Sequence, residues 1–332
     1  MYVVPTVDLL YQTTNDLTRY LGMTVGLIGD GHFDAGVYVN VATIQTLHAV
    51  WKKHEHANKE RLKYLFQQTY VLFMDEAHHL GADSYYKIAN AIPAYYKFGL
   101  TGTAFRSDES GILLRAATGK VIAQVSSSEL IQAGVLAKVT VKMIESHAEQ
   151  DLGTDWNTVY WLGIVRNDVR NSIIKWLADG FISEGKSVLI IVKLIEHGRI
   201  LNEYINDSVF MHGSVETPVR RETLQKFRDK EIMVLIGTKI YDEGVDIPTM
   251  DALVLAAGGL SPVKTLQRVG RALRRAPGKT EVTIVDFMDS FHKVLKRHSR
   301  KRLRLYKEES EFVVEELDCA DLGFGQEGTN ED

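Results

Sequence analysis

The chain has 332 residues, 45% apolar and 25% charged, with a formal net charge of −4. This is the profile of a soluble globular protein long enough for two domains, and it excludes overall disorder and a uniformly basic nucleic-acid coat. Cys319 is the only cysteine, which excludes an internal disulfide framework or a cysteine-built zinc site and fits a reducing cytoplasm. No stretch approaches 18 consecutive apolar residues, and MYVVPTVDLL lacks a basic n-region and a cleavage site, so neither a membrane span nor secretion is expected.

In chain order, Tyr2-Val3-Val4 reads as a strand end closed by Pro5, followed by a helix from about Asp8 to Leu21 that Gly22 stops. Val37 to Val41 predicts a strand, Ile44 opens a helix, Val71 to Met74 is a buried strand, Ser84 to Ile92 a helix and Lys97 to Leu100 a short strand. Val121 to Ile144 is strand-like, and the polar segment from Glu145 to Trp156 marks the break between domains. After it come a helix from Arg170 to Phe181, a strand at Val188 to Val192, a helix through Tyr204, a strand at Val209 to Met211 and a helix from Thr217 to Phe227. Strands at Ile232 to Ile236, Ala252 to Leu255 and Val282 to Asp286 follow, with a helix from Val263 to Leu273 between the last two. Such alternation predicts an α/β fold of two tandem units with parallel sheets: residues 1–150, residues 151–290, and a basic helix with an acidic tail over 291–332. The terminal GFGQEGTNED reads as a frayed end.

The chemistry concentrates where apolar runs break. After Met74 the chain continues as Asp75-Glu76-Ala77-His78. A carboxylate at the end of a buried strand can hold Mg²⁺, and a second beside it can activate water; the plain alternative is a polar loop. A zinc protease is disfavoured because H-E-x-x-H is absent. Thr101-Gly102-Thr103-Ala104 follows the next short strand. Thr238, Glu243, Gly244 and Asp246 lie just past Ile232 to Ile236, where open α/β sheets bind ligands. In Gln267-Arg268-Val269-Gly270-Arg271-Ala272-Leu273-Arg274-Arg275, the arginines recur at helical spacing and suit developing phosphate charge better than a mixed solvated face would.

In this order and spacing the segments resemble the motifs of superfamily 2 helicases and translocases over nearly the whole chain. Val4-Pro5-Thr6 with Gln12 looks like motif Ia, Thr43-Ile44-Gln45 like Ib, Asp75 to His78 like the DEAH box of motif II, and Thr101 to Ala104 like III. Val188 to Val192 looks like IV, Thr238 to Asp246 like V, and Gln267 to Arg274 like VI. KFGLTGTAFR, SSSELIQAGVLAKVTV, MHGSVETPVRRETLQKFR and KTLQRVGRALRR look most like the XPB-like group and the UvsW-type phage recombination helicases.

The resemblance implies two RecA-like domains, ATP and Mg²⁺ as cofactors, and DNA as partner, with branched or single-strand/double-strand junctions preferred. The setting it implies is the cytoplasm of a bacterium or a phage-infected host. Asp75 would coordinate Mg²⁺ with Glu76 beside it as activator of water. His78 and Gln267 would link hydrolysis to closure, and Arg271 and Arg274 would act as arginine fingers. Gly244 and Asp246 would meet the nucleotide. Pro5, Thr6, Thr43, Thr103, Lys193, His212, Gly213 and Thr238 would line the DNA, mostly through phosphate contacts without sequence information.

The family also needs a G-x-x-x-x-G-K-[ST] phosphate loop, and none is expected in this sequence. Gly278-Lys279-Thr280 has Leu273 where the first glycine belongs, and Gly119-Lys120 is followed by Val121. The first domain is therefore expected to lack its N-terminal phosphate-loop strand, leaving unpaired strand edges and a chain inactive as an ATPase alone. A truncated or split reading frame, a separate chain supplying the loop, or a degenerate protein would account for this. A translocating subunit of a restriction-type complex and a catalytically dead DNA-binding module are the rival functions. Lys293, Lys296, Arg297, Arg300, Lys301, Arg302, Arg304 and Lys307, with no acid until Glu308, predict a basic helix with a packable face. Its cations read either as a solvated face or as a phosphate contact, partly neutralised by the acidic stretch from Glu308 to Glu316.

Overall fold

The computed structural model describes residues 1–53, 57–77, 83–102, 109–148, 152–238, 250–259 and 279–318. The chain divides into two compact units, Met1–Gln124 and Val125–Asp332.

The first unit runs β1 (Tyr2–Val4), α1 (Val7–Leu21), β2 (Gly26–Gly29), β3 (His32–Asp34), β4 (Asn40–Thr43), α2 (Ile44–Lys52), α3 (Lys59–Gln68), β5 (Val71–Met74), α4 (Asp83–Ala91), β6 (Tyr96–Gly99) and α5 (Glu109–Thr118). Its sheet has the order β3-β2-β4-β1-β5-β6, parallel except where β2 and β3 form an antiparallel pair. Because parallel neighbours need crossovers, helices cover both faces. Leu47, Leu62, Phe66, Ile88 and Ile92 pack with Val3, Leu72 and Met74 on one side. Leu10 of α1 packs with Val4 and Val41 on the other. Gly22, with φ 63°, ends α1 as expected. The strand predicted at Val37 to Val41 instead occupies Asn40–Thr43, since Val37 and Tyr38 are 88% and 80% exposed.

The second unit opens with α6 (Ser127–Gln132) and β7 (Lys138–Ser146). It continues through α7 (Trp156–Tyr160), a π-helical turn (Trp161–Val165), α8 (Asp168–Ser183), β8 (Val188–Ile191), α9 (Ile195–Tyr204), β9 (Ser208–Met211) and α10 (Thr217–Arg228). β10 (Val234–Gly237), β11 (Ala252–Leu255), β12 (Glu281–Asp289), α11 (Lys293–Glu308) and β13 (Phe312–Leu317) complete it. The sheet order is β13-β7-β12-β11-β8-β10-β9, all parallel. Alternate residues of these strands feed two cores. Ile173, Leu177 and Phe181 of α8 join Val188, Ile190, Val254 and Phe287 on one face. Phe227 of α10 and Tyr306 of α11 join Leu189, Leu253 and Ile284 on the other.

Two expectations are corrected here. The division falls at Gln124–Val125, not near 150, because β7 pairs along its whole length with β12 and so belongs to the second sheet. The acidic segment after α11 is not a tail throughout: Phe312–Leu317 adds β13 to the edge of that sheet, beside β7. The predicted helix at 263–273 and the terminal GFGQEGTNED lie outside the described residues.

Candidate nucleotide and nucleic-acid sites

In the first unit, β4, β1, β5 and β6 are neighbours that all point the same way, so their C-terminal ends share one edge. Thr43, Pro5-Thr6, Asp75-Glu76 and Thr101-Gly102 emerge there, one predicted motif from each strand. The Asp75 N–H still bonds the Val3 carbonyl at 2.8 Å, and the Ala77 N–H bonds the Leu100 carbonyl at 2.8 Å, which pins the turn from both sides. Glu76 adopts φ 45°, a left-handed conformation that costs a non-glycine residue energy and re-aims its side chain. The Asp75 carboxylate accepts the Glu76 N–H at 2.9 Å. Burial and this carboxylate push the Tyr2 phenol upward, so Tyr2 stays protonated as a donor to Asp75. Gly99 closes the turn from below, since a Cβ there would sit 2.9 Å from the Ala77 Cβ.

Thr6 and Thr43 are N-caps, accepting the N–H groups of Leu9 at 3.3 Å and Thr46 at 3.4 Å. Gln45 Nε2 donates to the Pro5 carbonyl at 2.6 Å and ties the two helix starts together. Pro5 and the Thr43 side chain are buried. What this edge offers an anion is therefore two helix N-termini rather than exposed side chains.

One expectation about the phosphate loop needs correction. The sequence does contain the spacing once, at Gly180-Phe181-Ile182-Ser183-Glu184-Gly185-Lys186-Ser187. The fold turns it to another use. A phosphate loop leads from a strand into a helix, whereas here Gly180 lies inside α8 and Ser187 precedes β8. Gly185, at φ 70°, is the left-handed residue that ends α8. The N–H groups that would cradle phosphate are spent: Gly185 bonds Ile182, Lys186 bonds Phe181, and the Ser187 N–H bonds Asp251 at 2.9 Å. Lys186 pairs with Glu184.

In the second unit, β11, β8, β10 and β9 likewise end on one edge, bringing Lys193, Thr238, His212 and Gly213 together. Lys193 is exposed, with its ammonium 4.7 Å from the centre of the Tyr160 ring, and Tyr160 donates to the Ala257 carbonyl at 2.6 Å. Thr238 is buried, while Gly213 is exposed with open space where a Cβ would go. Tyr160 escaped the sequence reading; the signal was the aromatic run Trp156, Tyr160 and Trp161, at and just past the end of the segment read as polar, Glu145 to Trp156.

A buried ionic network was also missed. Arg302, within the basic run, is 3% exposed and bonds Asp286 with Nε at 2.8 Å and Nη2 at 3.0 Å. Burial by itself works against its charge, and the facing Asp286 and Asp289 carboxylates outweigh that and hold it charged. Tyr306 donates to Asp286 at 2.9 Å, and Arg170 reaches Asp289 at 3.2 Å. Arg302 also bonds the Gly259 carbonyl and Arg170 the Ala256 carbonyl, fixing the chain that leaves β11. His197, beside Arg170, is driven by burial first and by that charge second to a pKa of about 3.

His78, Thr103, Gly244, Asp246, Gln267, Arg271 and Arg274 lie outside the described residues. Among the described residues no cluster of three or more His, Cys, Asp or Glu could hold a metal. Mg²⁺ asks for less, being held by one or two carboxylates with waters and phosphates, and the half-buried Asp75-Glu76 pair meets that requirement. No described helix is long and apolar enough to cross a membrane.

Residues 1–106 match the family of the type III restriction enzyme res subunit, and residues 169–276 the helicase conserved C-terminal domain. The chain is 26% identical over 318 residues to the DNA 3'-5' translocase XPB2 of Sulfurisphaera tokodaii, covering 83% of this chain and 69% of that protein. It is 25% identical to the ATP-dependent DNA helicase uvsW of Enterobacteria phage T4, covering 87% of this chain and 59% of the relative. In fold it is similar to a fragment of a putative HsdR subunit of a type I restriction enzyme from Vibrio vulnificus, with a TM-score of 0.64 and 19% identity over 84% of this chain and 52% of that one. The chain thus spans about half to two thirds of the length of these proteins.

Proposed function

We propose, starting from the chain's membership of the superfamily 2 helicases related to XPB and UvsW, that it is the motor core of an ATP-dependent DNA translocase that remodels branched DNA. The observation that carries this reading is the shared edge of the first sheet, where four parallel strands bring Thr43, Thr6, Asp75-Glu76 and Thr101 into one row. ATP, bound with Mg²⁺, supplies the free energy through cleavage of its terminal phosphoanhydride. Asp75 holds the metal, directly or through water, and Glu76, re-aimed by its left-handed backbone, orients and deprotonates the attacking water. Arg271 and Arg274 stabilise the developing charge, with Gly244 and Asp246 at the nucleotide and His78 and Gln267 coupling hydrolysis to closure. The helix N-termini at Thr6 and Thr43 carry the backbone of a DNA strand, together with Thr103, Lys193, His212, Gly213 and Thr238.

The phosphate grip has no candidate in this sequence, because the one stretch with the right spacing is a helix-to-strand turn with its N–H groups engaged. We therefore infer that hydrolysis requires a phosphate-loop strand from outside these 332 residues. The test is ATP hydrolysis by the chain alone and with such a segment supplied, each with and without forked DNA. DNA-stimulated hydrolysis by the completed form alone is the expected result; hydrolysis by neither form overturns the motor reading. The same spent turn favours a second reading, a DNA-binding or assembly module without turnover, which predicts DNA binding and no hydrolysis in either form. The family matched by residues 1–106 favours the translocating subunit of a restriction-type complex as a further rival, which would need separate nuclease and specificity partners.

A further inference from the structure

The run on α11 that the sequence presents as uniformly basic divides into two sets. Leu295, His298, Ser299, Arg302 and Tyr306 are buried, and on the opposite side Lys293, Arg297, Arg300, Lys301 and Arg304 are exposed. At 100° per residue the exposed set falls within an arc of about 100°. None of its members pairs with a carboxylate among the described residues. Three of the acids that follow are engaged away from this stripe: Glu309 accepts from Ser128 at 2.8 Å, Glu311 from Gln132 at 2.8 Å, and Glu316 from Lys307 at 2.6 Å. Among the described residues Arg302 pairs with Asp286 and Lys307 with Glu316, so the acidic stretch neutralises one cation of the run, as expected in part, and leaves the outer stripe unpaired.

A merely solvated face looks different in this protein. Several exposed cations on other helices pair with acids three or four residues away: Arg19 with Asp16, Lys63 with Glu60, Lys175 with Asp179, Lys226 with Glu222. No member of the stripe on α11 forms such a pair among the described residues, Glu308 four residues after Arg304 included, in a chain whose net charge is −4. The helix is also held rigidly from beneath by the Arg302–Asp286 and Tyr306–Asp286 bonds, so its charges are pre-positioned. After burial, the next causes that lower the His298 pKa are Arg297, Arg302 and Lys301, in keeping with a positive local field.

We propose that the outer face of α11 is a nucleic-acid site in its own right, binding the phosphate backbone of duplex DNA without reading sequence. The stripe from Lys293 to Arg304 runs about 16 Å at 1.5 Å per residue, a length over which one strand of duplex presents roughly five phosphates. Single-strand sites add aromatic platforms to their cations; this face has none, its one tyrosine and one histidine being buried. The inference goes beyond the ATP-linked motor and does not depend on hydrolysis.

The test is duplex binding by fluorescence anisotropy, without nucleotide, from 50 to 200 mM salt. The proteins compared are the parent chain, the variant K293Q/R297Q/R300Q/R304Q, and the equal-charge control K175Q/K186Q/R199Q/K226Q, each checked for folding by circular dichroism. The α11 variant is expected to bind on the order of tenfold or more weakly at 100 mM salt, with a salt slope shallower by roughly 3 to 4, while the control stays within about twofold of the parent. Equal binding by parent and α11 variant, equal losses in variant and control, no duplex binding by the parent, or parent binding confined to anionic vesicles would each overturn the proposal. Hydrolysis is read separately, so a protein that binds duplex through α11 but does not hydrolyse ATP even when completed with a phosphate-loop strand would sink the motor reading alone.

Discussion

Asp75 and Asp286 are both carboxylates at apolar strands of parallel sheets, and the protein treats them in opposite ways. Asp286 is fully buried, bonded twice by Arg302 and once by Tyr306, and accepts the N–H of Phe287. Asp75 is half-buried at the open end of β5, bonded to the next N–H and to Tyr2, with a strained Glu76 beside it. An acid that serves the fold is surrounded by fixed donors until nothing else can reach it. Asp75, proposed to serve a ligand, is pinned through its backbone, and its carboxylate is left at an edge where a cation and water can approach.

Removing the cation of the buried pair should produce the largest effect on stability. Arg302→Ala leaves Asp286 charged in the core and should cost about 3–5 kcal/mol, read as a lower urea midpoint for the second unit. A shift below about 1 kcal/mol would make the network incidental. The next effect is one of pH. His197 stays neutral in the fold down to about pH 3, whereas the unfolded chain takes up a proton below about 6.5. Its contribution is therefore complete above pH 6.5 and is lost as pH falls through that window, by roughly 1.4 kcal/mol per unit. Denaturation at pH 7, 6 and 5 should show that slope, and His197→Gln should flatten it. On the other side of the comparison, Asp75→Asn should change stability by no more than about 1 kcal/mol, since the backbone bonds that hold the turn remain. A loss as large as that of Arg302→Ala would erase the distinction between the two acids. Effects of comparably small size belong to the helix starts, where Thr6→Ala and Thr43→Ala should each cost about 1 kcal/mol in thermal denaturation, as N-caps do.

Most strands were legible because short apolar runs such as Val71 to Met74 and Val188 to Ile191 are flanked by turn residues, and most helices followed from periodicity. The β2–β3 hairpin was not, since both strands are short, Gly26–Gly29 being half glycine and His32–Asp34 only three residues long. The domain break was placed late because Val121 to Ile144 reads as one strand-like stretch, and only pairing with β12 reveals that β7 starts the second sheet. Arg302 hid among its basic neighbours. The spacing of Leu295, Ser299, Arg302 and Tyr306, four, three and four residues apart, puts it on the buried stripe, a signal that charge alone conceals. The string from Gly180 to Ser187 teaches the converse, that a perfect spacing means nothing until its place between helix and strand is known. That the proposed site residues at strand ends share one row was legible by position, since a parallel sheet forces its C-terminal ends together.

The most direct test of the central claim is the ATP hydrolysis rate of the Glu76→Gln variant against its parent, in the form of the protein completed with a phosphate-loop strand and supplied with forked DNA. The account predicts a loss of about 10²–10⁴-fold in the rate with DNA affinity unchanged, because only the group that activates water is removed. Equal rates for variant and parent would contradict it, and would mean that the turn after β5 is a polar loop and not the catalytic centre.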